Sequence, residues 1–509
     1  MVNHTNNMKS NTYNFTSYLY LSLPLMIFVI GFLKPYIGIP FALFAAYAVW
    51  SAYKKASDMS VISINLRSHV YLAIVALALC YLSGIGAFYT QTGDYLVKNA
   101  LLRDLCDTSW PMIMDLSKQP DNIQDIIGSD KVAFVYYLFF YLPATVCGKI
   151  GGEMVARIVF LLWSAIGLYL VFVGTANYIL KEKESRMKKV LYFLLLFFLF
   201  GGLDIIGALR TVNFHDKYDL FIRYPITGFC ETWCMPYFRL WGAHIHDLSF
   251  VFNQCIPAWL MTILIMRRTN NSSLFFIYSF TLLYSPWAAI GLFPIVGSIW
   301  LFDNAKGFMS KTEFFSTFSL PNFIFPILLL VIVGGYYASN AGSTGTQGWF
   351  FSFMTIGQFI VYYPLFIIIE IGIYLLLLWK QIKVNKTLMF SFIILLLLPF
   401  YHITPGNDLL MRAAIPALYI VFVYWAKYVF DNWHKKKVLL ATALFFTSFS
   451  STHTIIESIT PIIKEKQIRI IDPIVSFHSI QSPEHAVMCD FQFFAHNYKD
   501  SFFFKYLAK

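Results

Sequence analysis

The chain alternates between long apolar runs and short polar segments. A membrane helix needs roughly 17 to 25 mostly apolar residues, or somewhat fewer when it is tilted or packed inside protein. We predict such helices at residues 18–33, 36–53, 69–89, 153–180, 189–208, 250–267, 273–286, 287–303, 321–338, 355–379, 387–402, 411–429 and 438–455. The first two form a tight hairpin at Lys34-Pro35, and Ser285-Pro286 divides the seventh from the eighth. The pattern therefore predicts an all-α polytopic membrane protein with about thirteen transmembrane helices.

Basic residues cluster in the short segments between these runs. The clusters are Lys54 with Lys55, KEKESRMKK at 181–189, Arg267 with Arg268, Lys306 with Lys311, WKQIKVNK at 379–386 and HKKK at 434–437. Cytoplasmic loops carry an excess of Lys and Arg, so we place all six clusters on the cytoplasmic side. The main extracytoplasmic loops are then residues 90–152 and 209–249.

The segment VAFVYYLFFYLPATVCG, residues 132–148, is also apolar. Counting it as a span would move the cluster at 181–189 to the other side of the membrane. We therefore predict an interfacial or partly inserted helix in the long first loop, held at headgroup level by Tyr136, Tyr137 and Tyr141 and broken at Pro143. On this scheme residues 1–455 form the transmembrane domain. Residues 456–509 form an extracytoplasmic tail that folds back on the membrane face and is too short to be an independent domain.

The composition excludes a set of water-soluble domains, because 58% of the residues are hydrophobic, 19% are aromatic and only 13% are charged. The net charge of +11 comes from basic clusters between apolar runs, so we predict no nucleic-acid partner. The cysteines have no zinc-type spacing, and Cys230 and Cys234 either pair in an oxidising compartment or stay free thiols. The cytoplasmic loops contain no Gly-rich phosphate loop and have no room for a nucleotide domain.

Sparse polar residues gather on the predicted extracytoplasmic side: Asp94, Asp204, Arg210, His215, Asp216, His244, His246, Asp247, Asn253, Gln254, His402, Asp408 and Arg412. Asp94, in the stretch TQTGDYLVKNALLRDLCDTSWP, and Asp204, in GGLDIIG, make the strongest catalytic pair. A carboxylate that is partly buried beside lipid has a raised pKa, which suits a base that must accept a proton from a hydroxyl group. The alternative is that Asp204 caps a helix or forms a structural bridge with Arg210.

Four further charged residues follow Asp94 at helical spacing. We expect Asp104 and Asp107 to lie on a solvated amphipathic face of that helix. Lys98 and Arg103 could bind a phosphate, or could equally attract lipid headgroups.

The stretch WGAHIHDLSFVFNQCIPAW, residues 241–259, combines imidazoles, a carboxylate and amides directly before an apolar helix. His244, His246 and Asp247 could hold a metal only if the backbone is extended, because two histidines at i and i+2 diverge on a helix. Amide groups and an aromatic face suit sugar recognition, although a tryptophan at a membrane interface needs no such role. The substrate-binding residues predicted here are His246, Asn253, Gln254 and Trp259.

The third candidate segment is ITPGNDLLMRAAIPAL, residues 403–418, where Asn407 or Asp408 can cap a helix and Arg412 follows one turn later. Backbone N–H groups and a guanidinium at a helix N-terminus attract phosphate. We predict donor-phosphate binding by Arg412, Arg210 and Lys98, with Asp408 in contact with substrate. The alternative is an i,i+4 bridge between Asp408 and Arg412 at a headgroup interface.

These features resemble the GT-C class of membrane glycosyltransferases, which use polyprenyl-phosphate-linked sugars on the outer face. The resemblance covers most of residues 69–430 at the level of architecture, and its short motifs look like a bacterial branch of the class. The motifs are GDYLVKNALLRDLCDTSWP, YLFFYLPA, GGLDIIG, FVFNQCIPAWL, SPWAAIGLFP, GNDLLMRAAIPAL and SFFFKYLAK. The resemblance implies that Asp94 is the general base, Asp204 an acceptor- or metal-positioning acid and Arg412 a donor-phosphate ligand, with a divalent cation as a cofactor in some members. The class often has a second acid adjacent to the first, whereas Asp94 stands alone.

The expected protein is an inverting glycosyltransferase of the bacterial inner (plasma) membrane, with its active site facing the periplasm or outside. Its partners would be a polyprenyl-phosphate-linked sugar, a glycan, lipid or protein acceptor, and membrane lipids. One alternative is a transporter or flippase of lipid-linked glycans, which would need charged groups near mid-bilayer and inverted repeats with matched broken helices. Glu370 is the only conspicuous mid-span candidate in the sequence, which argues against this alternative. The other is an O-antigen polymerase or ligase, expected to centre on paired outer arginines and a histidine in a late large loop.

Overall fold

The computed structural model describes residues 2–509 apart from 56–63, 181–186, 207–237, 241, 269, 304–306, 341–346, 404–406, 469, 472–475, 478, 479 and 481. The elements of the first half are α1 (Val2–Phe32), α2 (Pro35–Lys55), α3 (Leu66–Leu82), α4 (Tyr95–Asp107), β1 (Ile113–Asp115), α5 (Asp121–Ile127), β2 (Lys131–Phe134), α6 (Leu142–Gly151), α7 (Glu153–Ile179), α8 (Met187–Leu199) and α9 (His244–Arg267). Those of the second half are α10 (Leu274–Ser279), α11 (Thr281–Tyr284), α12 (Pro286–Leu301), β3 (Phe302–Asp303), β4 (Gly307–Phe308), α13 (Lys311–Ser316), α14 (Leu320–Ala338), β5 (Gln347–Trp349), α15 (Ile356–Leu377), α16 (Trp379–Val384), α17 (Lys386–Leu397), β6 (Tyr401–Ile403), α18 (Asp408–Thr447), α19 (Phe449–Glu465), α20 (Pro483–Phe493) and β7 (Phe494–Ala495).

In the described part of the chain, 8 helical stretches are long and apolar enough to cross a membrane. They are α1, α2, α7, α8 with its continuation to Ile206, α9, α14, α15 and α18. Helix α3, the α10 and α11 pair, α12 and α17 are apolar but shorter. The strands are two to four residues long, so the predicted all-α membrane class is confirmed. The predicted count of about thirteen spans is not confirmed.

Helix α18 is two antiparallel arms rather than one rod of 40 residues. The ring of Phe422 lies 5.7 Å from Phe197 of α8, and the Thr447 hydroxyl donates a hydrogen bond of 3.0 Å to the Leu199 carbonyl. A straight helix would separate residues 422 and 447 by roughly 37 Å. The chain therefore reverses at Lys436, the residue with non-helical backbone angles. This turn coincides with the basic segment HKKK that we predict between two helices.

Helix α9 reverses in the same way at Val251, where φ is −135° and ψ is 34°. The rings of His244 and Trp259 lie 5.1 Å apart, although 15 residues of straight helix would separate them by roughly 22 Å. The short arm before Val251 and the longer arm after it therefore pack side by side. The sequence prediction of a single helix over 250–267 contains only the longer arm.

The C-terminal segment packs against the first long loop, and together residues 90–151 and 476–509 form what we call the loop layer. Strand β7 pairs with β2, which also pairs with β1. The Phe477 ring packs against Phe134 at 4.8 Å. Asp104 is buried and accepts a hydrogen bond of 2.6 Å from the Phe477 N–H, so the predicted solvated face for Asp104 is wrong. The domain boundary predicted at residue 455 falls inside α19.

The segment 132–148 is not one interfacial helix. It begins as β2, continues through a short 3₁₀ turn at Phe139–Tyr141 and enters α6 at Leu142. Pro143 does not break this helix but lies in its first turn, where a proline needs no hydrogen-bond donor. The segment is therefore a strand, a turn and a short helix within the loop layer, not a single helix.

The two ends of the bundle differ in charge. Helix α18 begins at the loop layer, where Arg412 lies 5.9 Å from the Tyr137 ring, and it runs away from that layer to the turn at Lys436. Arg267 packs against the Tyr13 ring at 4.6 Å, near the start of the apolar part of α1. The other end of α1 packs against the loop layer. The basic turn at Lys436 and the basic pair that begins at Arg267 therefore lie at the end of the bundle opposite the loop layer.

The turn between α1 and α2 is held by the far end of the chain. The Lys34 N–H donates to the Leu507 carbonyl at 2.9 Å, and the Lys34 ammonium donates to the carbonyls of Lys505 and Tyr506. Leu33 forms a β-bridge with Ala508. The last residues thus complete the loop layer around the first hairpin.

Helices α12 and α18 cross closely at Gly291, beside Arg412. A Cβ atom on Gly291 would lie only 1.9 Å from the Ala413 carbonyl oxygen. We expect Gly291→Ala to destabilise the protein by about 1–3 kcal/mol or more, since the backbones must separate. Gly297→Ala on the same helix is the matched control, because no atom lies within 4 Å of its added Cβ. Thermal unfolding in detergent measures both, and equal midpoints would contradict the prediction.

Candidate functional site

Asp94 lies at the start of α4, one of the helices of the loop layer. It occupies the N-cap position, but its side chain makes no capping hydrogen bond and is exposed. The positive end of the helix stabilises a carboxylate there. The exposed Asp94 carboxylate can therefore be reached by an incoming hydroxyl group.

Lys98 follows Asp94 by one turn and is buried. Its ammonium donates a hydrogen bond to the Phe250 carbonyl, next to the reversal of α9 at Val251, and lies over the rings of Tyr95 and Phe252 at 4.6 and 5.1 Å. A helix reversal leaves carbonyls without their i+4 N–H partners, so Lys98 satisfies one of them. An ammonium has three donors, which leaves capacity for a second acceptor.

Burial and two charged neighbours set the pKa of Lys98. Burial lowers its pKa to about 8, the Asp94 carboxylate opposes this shift, and the Arg412 guanidinium adds to it. Lys98 and Arg412 thus repel each other across a partly dehydrated space. An anion placed between them would relieve that repulsion.

Arg412 enters the same site from α18. Asn407 caps this helix in the left-handed conformation, with φ at 54°, and its side chain accepts the Leu410 N–H at 3.3 Å. We predict either Asn407 or Asp408 as the capping residue, and the structure shows that Asn407 caps the helix. Asp408 instead pairs with Arg412 at 3.3 Å. The Arg412 Nε atom is buried without a hydrogen-bond partner in the described part of the chain.

Two tyrosines of the loop layer close the site. The Tyr137 hydroxyl faces Arg412 and Trp287, and the guanidinium lies 5.9 Å from its ring. Burial raises the pKa of Tyr136, while Arg412 lowers it and Asp94 raises it further. Sequence reasoning assigned both tyrosines to headgroup anchoring and gave Trp287 no role. Aromatic residues beside a charged segment were the only available signal.

Asp94, Lys98, Asp408 and Arg412 therefore share one neighbourhood, which we call the loop-end cluster. Asp94 and Arg412 act on the same two groups, Lys98 and Tyr136, although more than 300 residues separate them in sequence. One exposed carboxylate and two cations lie together where membrane helices meet the loop layer. This arrangement can hold an anion and accept a proton from a neighbouring hydroxyl group.

Asp204 lies elsewhere. It is fully buried beyond the end of α8, accepts a hydrogen bond of 2.8 Å from Ser450 and lies within hydrogen-bonding reach of the Glu370 carboxyl. No contact with Asp94 occurs among the described residues. The two acids that we predict as a catalytic pair thus have different surroundings, and Glu370 is the neighbour of Asp204.

The residues predicted for substrate binding at 241–259 line the α9 reversal. His246 forms a 3.2 Å hydrogen bond with Thr454 and stacks on Phe250, whereas Trp259 packs fully buried against Tyr419 at 5.6 Å. The two amide residues are also buried, Asn253 at 2% and Gln254 at 1% exposure. Their contact with substrate stays a prediction, and the structure shows them in packing positions.

The histidines of HIH have different surroundings. The His244 ring is sandwiched between Phe197 and Phe200, with both centroids 4.6 Å away. His246 turns to Thr454. Among the described residues, no group of three or more His, Cys, Asp or Glu side chains is placed to hold a metal ion.

Several predicted residues fall outside the described part of the chain. They are Arg210, His215, Asp216, Cys230 and Cys234. Donor-phosphate binding by Arg210 and pairing of the two cysteines remain predictions.

Comparison with known proteins gives no match: no family model, no curated protein and no solved structure is similar to this chain. A functional assignment therefore rests on the chemistry of the loop-end cluster.

Proposed function

We propose that the protein is an integral membrane glycosyltransferase that moves a sugar from a polyprenyl-phosphate donor to a glycan, lipid or protein acceptor. One observation supports this most strongly. The exposed Asp94 carboxylate lies in the same cluster as two cations, Lys98 and Arg412. A base next to a phosphate-binding pair is what transfer from a lipid phosphate requires.

The residues would divide the work as follows. Asp94 takes the proton of the acceptor hydroxyl while the hydroxyl oxygen bonds to the anomeric carbon of the donor. The bond between that carbon and the phosphate oxygen breaks, and its electron pair stays on the phosphate. Arg412 and Lys98 stabilise the added negative charge. Attack from the side opposite the leaving group inverts the anomeric centre.

The position of the cluster suits a lipid-borne donor. It lies where α18 begins and where α4 follows the apolar helix α3, so a phosphate at headgroup level could reach it. The basic turns lie at the opposite end of the bundle and would face the cytoplasm. The active site would then face the periplasm or outside, where a membrane-anchored donor replaces a nucleotide sugar.

Membranes containing the protein provide the direct test. They would be incubated with radiolabelled polyprenyl-phosphate glucose, galactose or mannose, and label transferred to non-prenyl products would be measured against membranes without the protein. Transfer supports the proposal, and a parallel incubation with EDTA tests dependence on a divalent cation. Failure of every donor to give protein-dependent product would contradict it.

A transporter or flippase of lipid-linked glycans is the second candidate. The buried Asp204 and Glu370 pair and the reversed helix α9 favour it, because transporters place charged groups and broken helices inside the membrane. An assay with the same labelled donors distinguishes the transporter from the transferase. Protein-dependent movement of labelled lipid across vesicles without a transferred product would favour the transporter.

Donor binding should weaken as the pH rises through the pKa of Lys98, about 8. At about pH 9 roughly a tenth of Lys98 keeps its charge, so we expect the donor KM to rise several-fold from about pH 7. The folded protein does not become less stable over this range on account of Lys98. Its pKa lies below the ordinary 10.5, so the unfolded chain binds more protons between the two values and stability rises with pH.

Lys98→Met is the matched control for that pH effect. Without the ammonium, the donor KM should be high at every pH and should lose the step near pH 8. A wild-type KM that stays constant from about pH 7 to about pH 9 would remove Lys98 from donor binding.

A further inference from the structure

The buried acids Asp204 and Glu370 meet at the point where two interrupted helices touch. A Cβ atom on Gly202 would lie 2.8 Å from Asp204 Oδ2 and 2.9 Å from Glu370 Oε2, so both oxygens face the same small space. The Glu370 carboxyl lies within hydrogen-bonding reach of Asp204. Both are buried, at 0% and 3% exposure. A carboxylate only accepts, so a hydrogen bond between two carboxyls requires one proton between them.

The backbone on both sides of this pair departs from α-helix. Residues 200–203 are non-helical between α8 and the turn that contains Asp204. Glu370 lies in a π-helical turn, Ile368–Gly372, within α15. Such turns free backbone groups, and here the Leu203 N–H donates to the Ile369 carbonyl at 2.7 Å. The Tyr374 hydroxyl donates a second hydrogen bond between these segments, of 2.7 Å, to the Gly201 carbonyl.

We propose that Asp204 and Glu370 share one proton and that this proton holds the end of α8 against α15. We call this proton-linked pair the latch. With the proton in place, one negative charge is shared and the Ser450 hydroxyl stabilises it. When the proton is lost, two carboxylates face each other in a space with little water, and their repulsion pushes the two segments apart. Glu370 is then a positioning residue for Asp204, and the latch opens as the pH rises.

On α15, Tyr374 interacts electrostatically with both carboxyls of the pair. On α19, Ser450 bonds to Asp204, and Thr454 one turn later bonds to His246 of α9. The charges of His453 and Arg239 act on His246. The latch is separate from the loop-end cluster, so a failure to observe glycosyl transfer would not affect it.

Thermal unfolding of the full-length protein in detergent tests the latch at several values between about pH 6 and about pH 9. The wild-type midpoint should fall over this range by roughly 2 °C or more relative to Asp204→Asn and to Glu370→Gln, in which the second charge cannot form. The double variant should follow the single variants, because the pair acts as one unit. Asp431→Asn, which removes an exposed acid of α18, should keep the wild-type profile. Asp247→Asn removes another buried acid and leaves the pair intact.

Two results would overturn the proposal. One is a pH profile shared by the wild type and both single variants, and the other is independent addition of the two single effects in the double variant. If the variants do not fold, the infrared absorption of Asp247→Asn protein gives the answer, because the pair is intact there. A protonated carboxyl signal that is present near neutral pH and disappears at alkaline pH supports the latch, and its absence near neutral pH refutes it.

Discussion

Replacing Asp94 by asparagine is expected to reduce the rate of sugar transfer by roughly 10²–10⁴-fold, the usual contribution of a general base. The amide keeps the size of the side chain but cannot accept the acceptor's proton. Asp94 makes no capping hydrogen bond and is exposed, so the substitution should leave the fold intact. Initial rates with labelled donor and matched amounts of protein measure the effect.

Asp107→Asn is the matched control for Asp94. It removes an exposed aspartate from the other end of the same helix, α4, without touching the loop-end cluster. We expect wild-type rates from that variant. If both variants transfer sugar at the wild-type rate, Asp94 is not the base, and if both lose activity equally, the cause is general to the helix.

Replacing Arg412 by glutamine should raise the donor KM by roughly 10- to 150-fold, which corresponds to the loss of about 1.5–3 kcal/mol from a hydrogen bond to a charged group. Arg412→Lys should recover part of this loss, since it keeps the charge but not the planar pair of donors. The measurement is the dependence of the initial rate on donor concentration. A rise in acceptor KM alone would place Arg412 on the acceptor instead.

Arg157 offers a control with the same local geometry. It pairs with Glu153 as an i,i+4 bridge on α7, as Arg412 pairs with Asp408 on α18, but of these two arginines it is Arg412 whose charge acts on Lys98. Arg157→Gln should therefore leave the donor KM unchanged. A similar rise in both variants would show that the effect follows from loss of a surface bridge.

The apolar pattern predicts most helices, since each buries a continuous run of side chains. It also predicts the turn at 434–437, where four polar residues separate two runs. The reversal at Val251 could not be predicted in this way. The turn itself, LSFVFNQ at 248–254, contains neither glycine nor proline, and Lys98 supports it from a helix about 150 residues earlier in the chain. Contacts between distant segments decide such a turn.

The sequence predicts the two halves of the candidate site separately, but not that they meet. The i,i+4 spacing of Asp94 and Lys98 indicates one helix face, and the segment at 407–412 indicates a helix start with a cation near it. The sequence does not reveal that these two segments come together, or that Asp204 and Asp94 have different surroundings. One sequence feature indicates the partner of Asp204. Glu370 is an acid within an apolar run, and such an acid needs a polar neighbour.

The contacts of Lys34 also set an order of events during synthesis. Its partners lie at residues 505–507, so the first hairpin stays without them until every apolar helix has left the ribosome. Closing a contact over such a distance is slow compared with the pairing of adjacent helices. The hairpin should therefore pass through a long-lived assembly intermediate with an open edge, which a chaperone or a membrane insertase could recognise.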